Sequence, residues 1–477
     1  MVSTTKTPSP RVPTPGRAPR EPGNTGSSAL PAPVPGLASA LVWGTGQLIN
    51  RQPGKAAFFF AFYATAITWE MVTGNYYAGM EFTARANGGF FVRGLWGLVT
   101  LGDTPREMSL TGLSEGDNSI VLLANGIIAL LTLCLLAIVA IWSVRDAARC
   151  RTRLGAGEAP ERSADYFRRI WEGAFAYIAL SPGLVLIVFM SVLPITFGVL
   201  VAFTDYNRDN LPPMNLVNWV GLDTFAQIFT VPSWTGTFLG VLAWTFVWAI
   251  LATATTYCAG FLLAVLLASK KVRFPRVWRT IFLLPWAVPG IVSALVFRAM
   301  FNGQFGPISQ FLVDIGLTDE RVYWFTDPTN PNLARAVALL VNLWLGFPFF
   351  MALVGGVLTN IPDSYYEAAR IDGAGTLQQL RYVTVPIVQR TCTPLLVLAF
   401  VAAFNNFGLV YFLTEGGPDN VDYRFAGSTD LLVTWLFKLT LDNRLYNIGA
   451  VMSIIVFFIV GTISVWNLRR SRAIREL

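Results

Sequence analysis

Histidine is absent from the 477-residue chain, which removes imidazole metal ligands, histidine general bases and Ser-His triads at once. Charge is scarce, with 13% of residues Asp, Glu, Lys or Arg against 54% hydrophobic. The four cysteines, Cys134, Cys150, Cys258 and Cys392, lie in or beside apolar runs without CxxC spacing, so neither a zinc site nor a disulfide framework is indicated. No GxxxxGK loop followed by Ser or Thr occurs, so the chain does not hold ATP by that device. Paired carboxylates, a Ser/Lys dyad or a metal cluster do not stand out either, which argues against a membrane enzyme. The expectation is a chain with no catalytic residues, no metal and no cofactor of its own.

What remains is apolar length. A mean hydropathy of +0.52 is too high for a soluble globular protein. Eight runs are long enough to cross a bilayer, at about 56–75, 119–144, 174–203, 240–269, 279–301, 334–358, 391–413 and 446–467. The expected fold class is therefore an all-α polytopic membrane protein with about eight transmembrane helices. The net charge of +7 does not point to nucleic acid, because the basic residues cluster between apolar runs. Arg145 to Arg169, Lys270 to Arg279 and Arg469 to Arg475 fall on one side, which puts both termini in the cytoplasm. Residues 1–34, rich in Pro, Ser, Thr and Gly, read as a disordered cytoplasmic tail. Residues 35–173 form an N-terminal membrane segment with two spans and a basic loop, and 174–477 form the core. Within the first segment, Leu37 to Asn50 is too short to span and suits a re-entrant or interfacial stretch. Trp219, Leu222, Phe225, Ile228 and Phe229 fit an amphipathic interfacial helix, or equally an aromatic belt. The loop at 76–118 suggests no function.

One polar, glycine-punctuated island interrupts the apolar pattern, at residues 361–386. Ser364 and Glu367 have capping-box spacing, Gly373 and Gly375 break the helix, and Thr376 to Gln379 repeats the spacing for a second helix. On such a helix Ala368 and Ala369 offer a smooth, low-entropy face for close docking, and Glu367 complements the dipole at the helix start. Local pattern alone leaves two readings of Glu367 open: a cap for its own helix, or an acidic contact for a partner.

A second set of polar residues lies inside the spans. Asn342 in LLVNLWLGFPFF and Asn405-Asn406 in AAFNNFGLVYF are flanked by apolar residues on both sides. An amide in hydrocarbon needs partners, so such residues face the bundle interior or a wet cavity. Sugar hydroxyls match amide donors and acceptors, and aromatic rings pack on pyranose faces. Interhelical hydrogen bonding satisfies the same groups, and chemistry alone does not separate the two. Pro348 removes a backbone donor and can kink its span, and Pro285 with Pro289 in FLLPWAVPG can bend another.

The spacing of Glu367, Ala368, Ala369, Gly373, Val383 and Val385-Pro386 resembles the EAA motif in membrane subunits of ABC importers. VAFTDYN at 201–207, NLWLGFPF at 342–349, FNNFGLVYFLTEGGP at 404–418 and STDLLV at 428–433 look like the MalF-type larger permease subunit of maltose and maltodextrin importers. The likeness covers 174–477 and lacks the large external domain of some members. It implies a type I importer permease fold in the bacterial plasma membrane, carrying half the translocation path. It implies an ATPase-coupling loop with Glu367 as the acidic contact, Ala368 and Ala369 as the packing surface and Gly373 as the turn. It also implies a carbohydrate site of Asn342, Leu345, Gly346, Phe349, Ala399, Ala402, Ala403 and Asn406. Phe349 lacks the hydroxyl of the family's tyrosine, and Ala402-Ala403 replace an aromatic and an asparagine, which implies a roomier, less polar pocket for a maltodextrin, trehalose or another glucoside. The implied partners are a second, MalG-like permease subunit, two MalK-like ATPase chains that use ATP and Mg, and an extracytoplasmic sugar-binding protein. A different oligosaccharide or a glycerol-phosphate-type solute is the alternative cargo. A stand-alone secondary transporter would want an ion-coupling carboxylate within the spans, and apart from Glu70 and Arg298 near span ends none is found.

Overall fold

The computed structural model describes residues 33–77, 83–109, 112–113, 116–269 and 271–470. The expected tail therefore lies outside the described residues except for positions 33 and 34, which begin a helix. Two compact units result, one of Met1–Gly74 with Thr132–Pro182, the other of Asn75–Leu131 with Gly183–Leu477.

The chain opens with α1 (Pro33–Leu41), α2 (Thr45–Ile49) and α3 (Pro53–Thr73). Gly44 makes the first turn in the left-handed region, at φ 96°, so Leu37 to Asn50 is two short helices. After α4 (Phe90–Thr100) and a two-residue β pair, β1 (Met108–Ser109) with β2 (Gly112–Leu113), comes α5 (Ser119–Gly155). Next are α6 (Ser163–Ile187), a π turn at Val188–Val192, and α7 (Leu193–Val201). The loop beyond holds α8 (Asp223–Thr230). Here Ile228 is fully buried in a core with Trp234 and Trp435, while Leu222 and Phe229 stay exposed. Half of the expected interfacial face is thus core, and Trp219 lies outside the helix, donating its indole N–H to Val99 O at 3.0 Å.

The second unit continues through α9 (Pro232–Ala268), α10 (Pro275–Ala287), α11 (Gly290–Met300), α12 (Pro307–Asp314) and α13 (Pro331–Thr359). Then come α14 (Asp363–Ile371), α15 (Thr376–Gln379), a π turn at Leu380–Thr384, α16 (Val385–Phe404) and α17 (Phe407–Thr414). Finally α18 (Leu432–Phe437) and a π turn at Lys438–Asp442 lead to α19 (Tyr446–Arg470).

Six of these continuous helices are long and apolar enough to cross a membrane, and two of the eight expected spans change form. The fifth is the α10–α11 pair, bent by 87° at Val288-Pro289, because Pro285 in the last turn of α10 and Pro289 in the break both lack backbone donors. The seventh does not run over 391–413: it starts inside the polar island at Thr376, ends at Phe404, and restarts as α17. The eighth keeps its expected place as α19. The sequence reading missed α4, which packs on α5 through Gly94 and Gly97, where an added Cβ would meet Ala129 Cβ at 2.6 Å and Leu122 Cβ at 3.0 Å.

Candidate functional site

The packing of α9 against α13 sets the polar centre. Trp244, Trp248, Ala252, Thr256 and Gly260 recur every fourth residue along one buried face of α9. A Cβ at Gly260 would come within 2.6 Å of Phe350 Cβ, and one at Gly346 within 2.6 Å of Thr256 Cγ2, so the two backbones approach closely. Gly346 thus has a packing reason to be glycine. In this approach Asn342 meets α9 and donates from Nδ2 to Ala252 O at 3.5 Å.

The break between α16 and α17 brings in the second amide. Asn405 ends α16 and keeps its own amide local, donating to Val401 O at 3.2 Å. Asn406 caps α17 by accepting from Leu409 N–H at 3.3 Å, and donates from Nδ2 to Asn342 Oδ1 at 3.5 Å. Short polar side chains that bond nearby backbone favour such interruptions over a continuous helix. Both amide–amide and amide–backbone contacts across the helices are long, and Asn342 and Asn406 are each half-buried. That leaves hydrogen-bonding capacity which a polyhydroxy ligand can use.

Around this pair, Leu345 borders an open cleft of about 380 Å³ whose other walls are the break residues Pro285 to Gly290. Phe349 is partly exposed, its ring 6.1 Å from that of Trp286. Ala399 is half-buried and Ala402 exposed, while Ala403 packs into the core and its carbonyl accepts from Trp248 Nε1 at 3.1 Å. Sequence reasoning missed Trp286, Trp248 and Thr256. A tryptophan between two prolines and the four-residue repeat along α9 were the signals available. Beyond α17, Asp430 is fully buried and accepts from Gly427 N–H at 2.7 Å and Thr434 Oγ1 at 2.8 Å, with Lys438 Nζ at 2.7 Å. Burial pushes its carboxyl up from the ordinary range while the lysine and these donors pull it back.

The island forms a helical elbow. With Pro362 at its cap, α14 begins at Asp363, so Ser364 lies inside the first turn and the expected Ser364–Glu367 capping box is not made. Pro362 supplies a fixed φ but no side-chain acceptor, and Asp363 complements the dipole in its place. The second box also shifts by one residue, to a Gly375 N–H donating to Gln378 Oε1 at 2.8 Å. Between the helices, Ala374 N–H bonds Ala369 O at 2.8 Å and Gly373 N–H bonds Arg370 O at 3.1 Å, the Schellman pattern, with Gly373 at φ +82°. Glu367 and Ala368 are exposed and Ala369 is half-buried. Ile371 and Leu377 flank the turn with 87% and 76% of their surface exposed, apolar groups without cover in the single chain. Two anchors hold the elbow to the bundle. Ile361 is buried with Ala264, Val354 and Val388, and Tyr366 OH lies 3.1 Å from Thr384 Oγ1 in the π turn that leads into α16.

A bent-helix membrane bundle with a capped polar elbow and an amide pair at a helix break has the architecture of a membrane transport subunit. Residues 258–472 match the model for the binding-protein-dependent transport system inner membrane component. The galactooligosaccharide transport permease GanP of Bacillus subtilis is 36% identical over 442 residues, covering 92% of this chain and 98% of that one. The maltodextrin transport permease MdxF of the same organism is 31% identical, over 91% of this chain and 94% of that one. The maltose/maltodextrin permease MalF of Escherichia coli is 36% identical over 56% of this chain and 52% of its own length. A chain of the bacterial ABC transporter that imports the acidic polysaccharide alginate superposes with a TM-score of 0.52 at 21% identity, covering 65% of this chain and 99% of that one, and so shares the fold. The chain belongs to the family of binding-protein-dependent transport system inner membrane components, in its sugar-permease branch.

Proposed function

We propose that the chain is the larger membrane subunit of an ATP-driven importer of oligosaccharides, carrying half of the path and one docking loop. Relatives named for galactooligosaccharides and maltodextrins support a neutral oligosaccharide as cargo. The observation that carries the reading is continuity: the helix bearing the elbow's second half runs unbroken from Thr376 to Phe404 and ends at the Asn406–Asn342 contact. Closure of an ATPase dimer on the exposed Glu367–Gly373 face would move that helix, and the helix would remake the amide pair on a sugar. Asn342 and Asn406 are the hydrogen-bonding groups, Phe349 and Leu345 the apolar wall, Gly346 and the alanines the space. The working complex is this chain with a second permease subunit, two ATPase chains using ATP and Mg, and a sugar-binding protein on the outer side, with both termini and the elbow in the cytoplasm.

Reconstitution tests it. Proteoliposomes with the complete complex should take up a labelled oligosaccharide only with ATP and binding protein, and a crosslinker at Ala368→Cys should capture the ATPase. Uptake by this chain alone would place the driving force elsewhere.

A further inference from the structure

The first unit holds a cavity of about 780 Å³ between the C-terminal half of α5 and the starts of α3 and α6. Its wall changes character along α5: Ile138, Ile141 and Trp142 line one end, Arg145, Arg149 and Arg153 the other. The three arginines recur every fourth residue and so share one helix face. Among the described residues none of the three forms an ion pair, and of the acidic groups beside them Asp146 and Glu161 are engaged by Lys55 while Glu158 lies at the rim without an ion pair. Buried Lys55 lies 3.5 Å from both Asp146 and Glu161 and 3.5 Å from the centre of the Tyr166 ring, and Glu161 also pairs with Arg169 at 2.8 Å. In all, five cationic and three acidic side chains line the cavity. Gln52, 1% exposed, lines it too, and its Oε1 has no hydrogen-bond partner, a costly state for a buried amide oxygen.

We propose that this cavity seats the headgroup of an anionic phospholipid. The phosphate lies against Arg145, Arg149 and Arg153, a headgroup hydroxyl donates to Gln52 Oε1, and an acyl chain runs along Ile138, Ile141 and Trp142. Depth supports the placement. At 37 residues α5 is about 55 Å long, more than a hydrocarbon core of roughly 30 Å, so its arginine end reaches the headgroup zone. A soluble phosphate ester could use the arginines, but it would leave the apolar wall uncovered.

Native mass spectrometry of the full chain in neutral detergent, titrated with phosphatidylglycerol or phosphatidylcholine of matched acyl chains, tests this. The wild type should retain one phosphatidylglycerol in preference to phosphatidylcholine. Each arginine removed should weaken retention about fivefold, so R149Q alone gives a measurable shift and R145Q/R149Q/R153Q a loss on the order of one hundredfold. If the triple variant does not purify as a single species, R149Q carries the test. R168Q, outside the lining, should match the wild type. Equal retention of both lipids, wild-type retention by the arginine variants, or displacement of phosphatidylglycerol by equimolar glycerol 3-phosphate overturns the proposal, the last by assigning the arginines to a soluble phosphate ester.

Discussion

Asn342 and Asn406 illustrate how a residue can be located by sequence while its partner is not. Each stands out because apolar residues flank it, and an amide in such a setting has to be satisfied. That Asn342 reaches Ala252, 90 positions away, depends on how close α9 and α13 come, which Gly260 and Gly346 decide together. If the proposed site holds, Asn342→Ala should lower oligosaccharide uptake at least tenfold with the complex assembled, since it then removes a ligand group and no cap. Asn406→Ala should do the same and also cost about 1 kcal/mol of stability, because it uncaps α17. Uptake assays beside thermal melts in detergent check both, and wild-type uptake in the double variant would place the pocket elsewhere. Asp430 makes a different case, since nothing in STDLLV announces a buried anion. Asp430→Ala leaves Lys438 and Gly427 N–H without their acceptor and should destabilise by about 3–5 kcal/mol. Denaturation in detergent would read it.

Among the elements, the elbow was the most legible, because glycines and capping residues mark local geometry that needs no tertiary information. Its errors were single-residue shifts: Pro362 moved the first helix start ahead of Ser364, and Gly375 took the cap expected of Thr376. Gly373 sits at φ +82° with open space where a Cβ would be, so its role is conformational. Gly373→Leu should cost about 1–2 kcal/mol locally and abolish ATP-driven uptake while the chain stays in the membrane; unchanged uptake would remove the elbow from coupling. Long spans were harder. Hydropathy counts apolar residues and is blind to where a helix stops, so α10–α11 and α16–α17 read as single spans although proline and asparagine interrupt them. The glycine spacing of α4 was visible, but at eleven residues the helix is too short to register as a span.

For the whole molecule, class and approximate span number followed from composition, while the division into two units did not, since α5 and α6 each contribute to both. Orientation rests on the basic clusters after the second, fourth and eighth expected spans. A membrane-impermeant maleimide should label Ile371→Cys in inverted vesicles and not in intact cells, with Cys134, Cys150, Cys258 and Cys392 first replaced by serine. The reverse labelling would invert the topology and the side on which ATP acts.

The rod from Thr376 to Phe404 has one further consequence. At 29 residues it is about 44 Å long, so a tilt of about five degrees at the elbow sweeps its far tip by nearly 4 Å on the same geometry. That stroke exceeds the 3.5 Å separating the two asparagines. A small rotation at the base is therefore enough to unclasp the amides, and if the proposed site holds, gear ratio alone converts a modest push into release of a bound sugar.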